Sequence, residues 1–85
     1  MKEFTYIIQD PAGIHARPAG VLVKLANTFQ SNICIRKAEK TGDLKRIFSV
    51  MALGAKQSDT ITLQIEGCDE EQAVAAIEAC LKENF

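Results

Sequence analysis

The chain has 85 residues, with 10 Lys or Arg, 11 Asp or Glu and a net charge of -1. That is enough for one modest core and too little for two, so a single domain over residues 1–85 is expected. No basic excess is available to neutralise phosphates, which argues against nucleic acid as the main partner, and no apolar run approaches the roughly 18 residues of a membrane span.

In chain order, "EFTYIIQ" reads as a strand with Phe4, Tyr6 and Ile8 on one face and Ile7 breaking the alternation. The cluster Asp10-Pro11-Ala12-Gly13 ends it in a turn. From Ala19 to Phe29, the residues Leu22, Leu25, Ala26 and Phe29 recur at helical spacing and predict an amphipathic helix. "NICIRKA" is a second strand with Ile33 and Ile35 inward, and "EKTGDLK" supplies turn chemistry around Gly42 before a short third strand. "RIFSVMALG" predicts a short apolar helix that Gly54 terminates. "DTITLQIEG" alternates cleanly, turning Ile61, Leu63 and Ile65 inward. In "DEEQAVAAIEACLKEN", Asp69 is an N-cap candidate with Gln72 three residues on, and Val74, Ile77 and Leu81 form the inner stripe. Strands and helices intermixed in this way predict an α+β fold, an antiparallel sheet with helices on one face.

Cys34, Cys68 and Cys80 are an odd set without C-x-x-C spacing, which suggests neither a disulfide framework nor a zinc site; the expectation is reduced thiols, no metal and no cofactor. Cys34 and Cys80 fall in core elements and Cys68 at a turn. There is no phosphate-binding loop of the G-x-x-x-x-G-K-[S/T] kind and no paired-carboxylate constellation. The N-terminus lacks a secretory pattern, so a cytoplasmic chain without membrane insertion is expected.

The only histidine, His15, lies between the glycine turn and a helix start, in "AGIHARPAGVL". A helix N-terminus exposes unpaired N–H groups and the positive end of the macrodipole. If His15 is the N-cap, the amides of Ala16 and Arg17 point toward whatever sits on its ring, and Pro18 occupies a first-turn position where its missing N–H costs nothing. Residues before proline avoid helical angles, however, so Arg17 is an equally good cap with the helix starting at Pro18. The positive helix end disfavours an imidazolium and leaves a lone pair free, while Arg17 adds donors shaped for phosphate oxygens. Together these describe a place for a phosphoryl group carried on nitrogen; the plainer alternative is a solvated capping histidine.

"GIHARPAGVL" resembles the active-site motif of HPr, the family of histidine-containing phosphocarriers of the bacterial phosphoenolpyruvate:sugar phosphotransferase system. "LKRIFSVMALG" is similar to the second motif of that family, around its short middle helix, and the resemblance covers essentially the whole chain. It implies an open-faced β-sandwich with four antiparallel strands and three helices on one side, in the order βαββαβα. It implies a phosphocarrier and not an enzyme, phosphorylated on His15 Nδ1 by enzyme I and delivering to sugar-specific enzyme IIA domains, with Arg17 and the Ala16 and Arg17 amides holding the phosphoryl group. Arg17, Gly20, Lys24 and Asn27 make one stripe of the first helix, and Ile47, Phe48 and Met51 match positions used for apolar partner contact. An exposed apolar patch ringed by Arg17, Lys24, Lys45 and Arg46 is therefore expected to meet acidic partners. The alternative for Phe48 and Met51 is core packing. Nothing requires more than a monomer.

Two positions depart from expectation. Where the family commonly carries a regulatory serine, this chain has Arg46, which cannot be phosphorylated and puts a positive charge at a helix start, unfavourable by about 0.3–1 kcal/mol. Ser49 is the nearest hydroxyl. Gly20, inside a helix, costs about 1 kcal/mol relative to alanine. Two functional alternatives share the fold: a purely regulatory HPr-like protein, which an intact His15 and Arg17 argue against, and a carrier in a nitrogen-related branch.

Overall fold

Alternation along the strands decides the sheet. In the computed structural model, which describes residues 1–85, β1 (Lys2–Ile7), β2 (Asn32–Lys37), β3 (Lys40–Asp43) and β4 (Thr60–Glu66) form one sheet in the order β1-β4-β2-β3. All three pairings are antiparallel, and the register sets Ile33 opposite Ile65 and Ile35 opposite Leu63. These four residues and Ile61 are buried, so one face of the central pair is continuous hydrocarbon. Each such side chain contributes about 1.5–3 kcal/mol on burial. Ile7 pairs with Thr60 on the other face and is exposed, which accounts for the break in alternation at the end of β1.

The helices α1 (Ala16–Ala26), α2 (Ile47–Ala52) and α3 (Glu70–Asn84) cover the apolar face. Leu22 and Ala26 of α1, Val50 of α2 and Ile77 and Leu81 of α3 join the strand residues in one core of 19 buried hydrophobics. This is the four-stranded open-faced α+β arrangement expected from the sequence, in the order βαββαβα. Gly54, at φ 63, follows the last turn of α2 and donates its N–H to the Met51 carbonyl, which is the expected glycine stop.

Several boundaries differ from the sequence reading. α1 starts three residues earlier, at Ala16, and its regular turns end at Ala26; beyond it Thr28 and Phe29 continue only in shorter i→i-3 hydrogen bonds. Leu25 and Phe29 are only half-buried, and Pro18 and Ala19 take their place in the core. The β2–β3 turn is Ala38-Glu39, with Ala38 at φ 54, and Gly42 lies inside β3. A side chain at Gly42 would come within 3.0 Å of the Ser49 carbonyl, so this glycine serves the packing of β3 against α2. Cys34 sits on β2 but points to the outer face opposite Gln64, half-buried; Cys80 is buried and Cys68 exposed.

Asp69 does stand at the N-cap of α3, yet its side chain makes no capping bond. It reaches across the fold instead, accepting from the Gln30 N–H at 2.8 Å, the Ser31 N–H at 2.9 Å and the Ser31 hydroxyl. This ties the start of α3 to the α1–β2 connection. The Ser31 hydroxyl, with the Gln30 amide next, holds the Asp69 carboxyl below its ordinary 3.8. A folded value below the unfolded one means that the stabilisation is complete above 3.8 and is lost as pH falls through the lower folded value. Asp69→Asn is therefore expected to be less stable than the parent at neutral pH, with the gap closing once the parent carboxyl protonates. Urea unfolding of both proteins across the acid range checks this.

Candidate functional site

The loop before α1 is built from the residues nearest His15. Asp10 opens an Asx turn: its carbonyl accepts the Gly13 N–H at 2.8 Å and its Oδ1 the Ala12 N–H at 2.8 Å. Gly13 then takes φ +68, and a Cβ there would fall 2.5 Å from the Ala55 carbonyl oxygen and 2.8 Å from Lys56 Cα. The same Ala55 oxygen accepts the Ile14 N–H at 3.0 Å, while the Ile14 side chain enters the core. With residues on both sides of the turn anchored, the chain delivers His15 to the surface, its side chain 43% exposed.

His15 is the N-cap of α1, in extended backbone at φ -126 and ψ 170, and its carbonyl accepts the Ala19 N–H at 3.0 Å. This settles the alternative left open by the sequence. Arg17 is helical despite preceding proline, because the anchored Ile14 sets where the helix begins. Ala16 and Arg17 leave their N–H groups without acceptors inside the protein, and Pro18 has none to leave. The first turn carries no acidic residue, and the Arg17 guanidinium, exposed, makes no ion pair. A bare amide end thus follows His15 directly, with an unpaired guanidinium carried two residues on, an arrangement that attracts an anion.

The ring faces one carboxylate. Nε2 lies 3.5 Å from Asp10 Oδ2, whereas Nδ1 makes no hydrogen bond within the protein. Asp10 was legible in the sequence only as a turn residue. The available hint was an Asx-turn residue five positions ahead of the histidine, in a loop short enough to fold its side chain back.

The family model described as "PTS HPr component phosphorylation site" matches residues 2–83. The phosphocarrier protein HPr of Mycoplasma genitalium is 45% identical over 85 residues, covering 99% of this chain and 97% of that one. The solved structure of a mycoplasma histidine-containing phosphocarrier protein superposes with TM-score 0.94 at 46% identity, over 96% of this chain and 93% of that one. HPr-C-His of Thermoanaerobacter tengcongensis gives 0.94 at 39% identity, over 100% and 96%. This chain belongs to the HPr family. It is accordingly a phosphocarrier of the phosphotransferase system and not an enzyme in its own right.

The other residues singled out from the HPr resemblance divide into two groups. Phe48 is 86% exposed, which rules out core packing for it, while Ile47 and Met51 are half-buried against the core edge. Lys24 is exposed and unpaired, as Arg17 is. Arg46 is exposed at the start of α2, with its Nε 3.7 Å from Asp43 Oδ2. Asp43 also accepts the Lys45 N–H at 2.9 Å, which holds its carboxylate just ahead of α2 where it offsets the Arg46 charge, while the helix start itself carries no side-chain cap. Asn27 and Lys45, by contrast, are engaged internally. Asn27 Nδ2 donates to the Val23 and Lys45 carbonyls at 2.9 and 3.0 Å, and Lys45 Nζ donates to the Phe29 carbonyl at 2.8 Å. They stitch the C-terminal end of α1 to the approach to α2, about 18 Å of helix rise from His15. Val21, on α1 and half-exposed, is an apolar surface residue that the sequence reading left out.

Gly20 and Gly13 differ in kind. A Cβ at Gly20 meets nothing within 4 Å, so Gly20→Ala is expected to gain about 0.5–1 kcal/mol from helix propensity alone. Gly13→Ala adds left-handed strain of about 1–2 kcal/mol to a backbone collision and is expected to lose more than that. Thermal unfolding of the two variants, with Tm moving in opposite directions, is the check.

Proposed function

We propose that this chain, as one HPr domain over residues 1–85, accepts a phosphoryl group on His15 Nδ1 from phosphorylated enzyme I and passes it to enzyme IIA domains for sugar uptake, as a cytoplasmic monomer. The observation that carries the reading is the setting of the imidazole: Nδ1 unengaged, Nε2 facing Asp10, and His15 standing at the N-cap of a helix whose first amides are bare. In the transfer, the Nδ1 lone pair attacks phosphorus and the donor's bond to phosphorus breaks, its electron pair leaving with the donor. The phosphoryl oxygens then face the Ala16 and Arg17 amides and the Arg17 guanidinium, each helix-end contact worth about 0.3–1 kcal/mol. The protein supplies no acid or base chain of its own at this exposed ring, so partners complete the catalytic surroundings.

Docking uses the residues that the fold leaves exposed and unpaired. Phe48, with Ile47 and Met51 at its base and Gly20 leaving α1 low enough for close approach, forms the apolar contact. Arg17, Lys24 and Arg46 supply unburied positive charge for an acidic partner surface. Asn27 and Lys45 border this surface with their polar groups spoken for, and their part in docking is through the shape they hold.

Intact mass after incubation with enzyme I, magnesium and phosphoenolpyruvate is expected to show one acid-labile phosphoryl group on the parent and none on His15→Ala. No increment with either a sugar-branch or a nitrogen-branch enzyme I would overturn the carrier reading. Phe48→Ala is expected to leave stability within about 0.5 kcal/mol of the parent, since the ring is exposed. It is also expected to raise the apparent KM with enzyme I by about three- to tenfold, as loss of an apolar anchor does. Arg46→Glu is expected to slow association and to weaken its dependence on salt. Stopped-flow transfer rates at several ionic strengths test both.

A further inference from the structure

Asp10 is held from several directions. Its main-chain N–H donates to the Phe85 main-chain oxygen at 2.7 Å, and the N–H of Gln9 donates to the same oxygen. Its carbonyl and Oδ1 are taken by Gly13 and Ala12 in the Asx turn. What remains is Oδ2, which faces His15 Nε2 at 3.5 Å, longer than a formed hydrogen bond but well inside charge-pairing range. Lys82 and Glu83 of α3 line the same shallow cleft as Asp10, and neither pairs with Asp10 or with His15. The carboxylate side chain is only 30% exposed.

We infer that Asp10 is a positioning residue for His15, holding the ring's proton on Nε2 and thereby presenting the Nδ1 lone pair to the phosphoryl donor. The inference rests on His15 being the phosphoryl acceptor as proposed above. A neutral imidazole has one N–H, and a carboxylate beside Nε2 favours the tautomer that places it there. When Nδ1 bonds to phosphorus and the donor's bond breaks, positive charge develops on the ring and the proton stays on Nε2, facing Asp10. On delivery the Nδ1–phosphorus bond breaks, its electron pair returns to Nδ1, and a neutral ring with the same Nε2 proton is left. The carboxylate thus lowers the energy of the charged, phosphorylated ring without giving or taking a proton. It acts through the imidazole and touches no phosphoryl oxygen.

Two variants separate this role from turn building. Asp10→Asn keeps an oxygen for the Ala12 amide but removes the charge facing Nε2; Asp10→Ala removes both. Nitrogen-15 spectra of the unphosphorylated ring are expected to show the Nε2–H tautomer in the parent, with the Nδ1–H share rising about three- to fivefold in both variants. The rate of phosphoryl acceptance from enzyme I is expected to fall by a similar factor of about three to five, with the Tm of Asp10→Asn close to the parent's. Unchanged tautomer populations in both variants would overturn the inference, as would slower transfer accompanied by unfolding and an unaltered ring spectrum. Absence of phosphorylation in the parent would count against the carrier reading instead, and the spectrum of the free ring would still decide the role of Asp10.

Discussion

The placement of His15 depends on one close approach, that of Gly13 to the Ala55 carbonyl. The two segments belong to different loops, the first leading into α1 and the second leading from α2 to β4, and a Cβ would hold them apart. Because Gly13 lets them meet, the Ile14 N–H can bond to the same carbonyl and the Ile14 side chain can enter the core. The next residue is then obliged to be at the surface, and the one after it starts a helix. A flexible loop carrying the same histidine would lose its fixed place at the N-cap of α1. His15 is therefore an exposed side chain on an anchored backbone, and that would suit the acceptor role proposed for it, in which one partner and then another must reach the ring.

The electrostatics of α1 follow from what its two ends lack and what they have. Its first turn has no carboxylate of its own and no N–H at Pro18, so two amides and the Arg17 charge stay uncompensated. Left alone, that is a modest cost to the free protein, and it makes the same end favourable for an arriving anion. Asp10, from the preceding turn, turns its Oδ2 to Nε2 of the ring and makes no hydrogen bond to the Ala16 or Arg17 amide. The other end of the helix is treated in the opposite way. There the Asn27 side chain and the N–H groups of Asn27, Thr28 and Phe29 take the carbonyls of Val23, Leu25 and Ala26, so most of its last acceptors are satisfied within the protein.

The sequence made the architecture legible wherever one face of an element meets the core. β4 alternates without a fault, β2 shows its two isoleucines, and α3 carries a clear inner stripe; all three are organised by burial, which a period in the sequence records directly. What could not be read was set by contacts distant in the chain. Ala38 takes a left-handed φ because the β2–β3 register leaves a two-residue turn, although no glycine or asparagine announces it. Gly42, which looks like that announcement, is there because Ser49 packs against its backbone. The proline rule placed the start of α1 too late because it weighs local sterics and knows nothing of Ala55. Asp69 reads as a local cap, yet its carboxylate serves amides 38 and 39 residues away. At the site, His15, Arg17 and Pro18 were visible as a motif, whereas the facing of Asp10 toward Nε2 exists only once the turn has folded.

The polar groups of the surface around α1 and α2 sort by whether the fold already uses them, and that sorting bears on how a carrier can exchange partners. A charge paired inside the protein must break its pair before it can serve an interface, and the broken pair subtracts from what the new contact adds. Lys45 and Asn27 carry that burden, with every donor they show directed at a main-chain carbonyl. Arg17 and Lys24 do not, and Arg46 is tied only by a long, exposed contact to Asp43. Phe48 likewise gives up no core packing when it is covered. A surface assembled from unused groups needs no rearrangement to bind and recovers nothing but water on release. If this surface is the docking face proposed above, it would be quick to form an interface and quick to part, as a protein that leaves a donor to reach an acceptor requires.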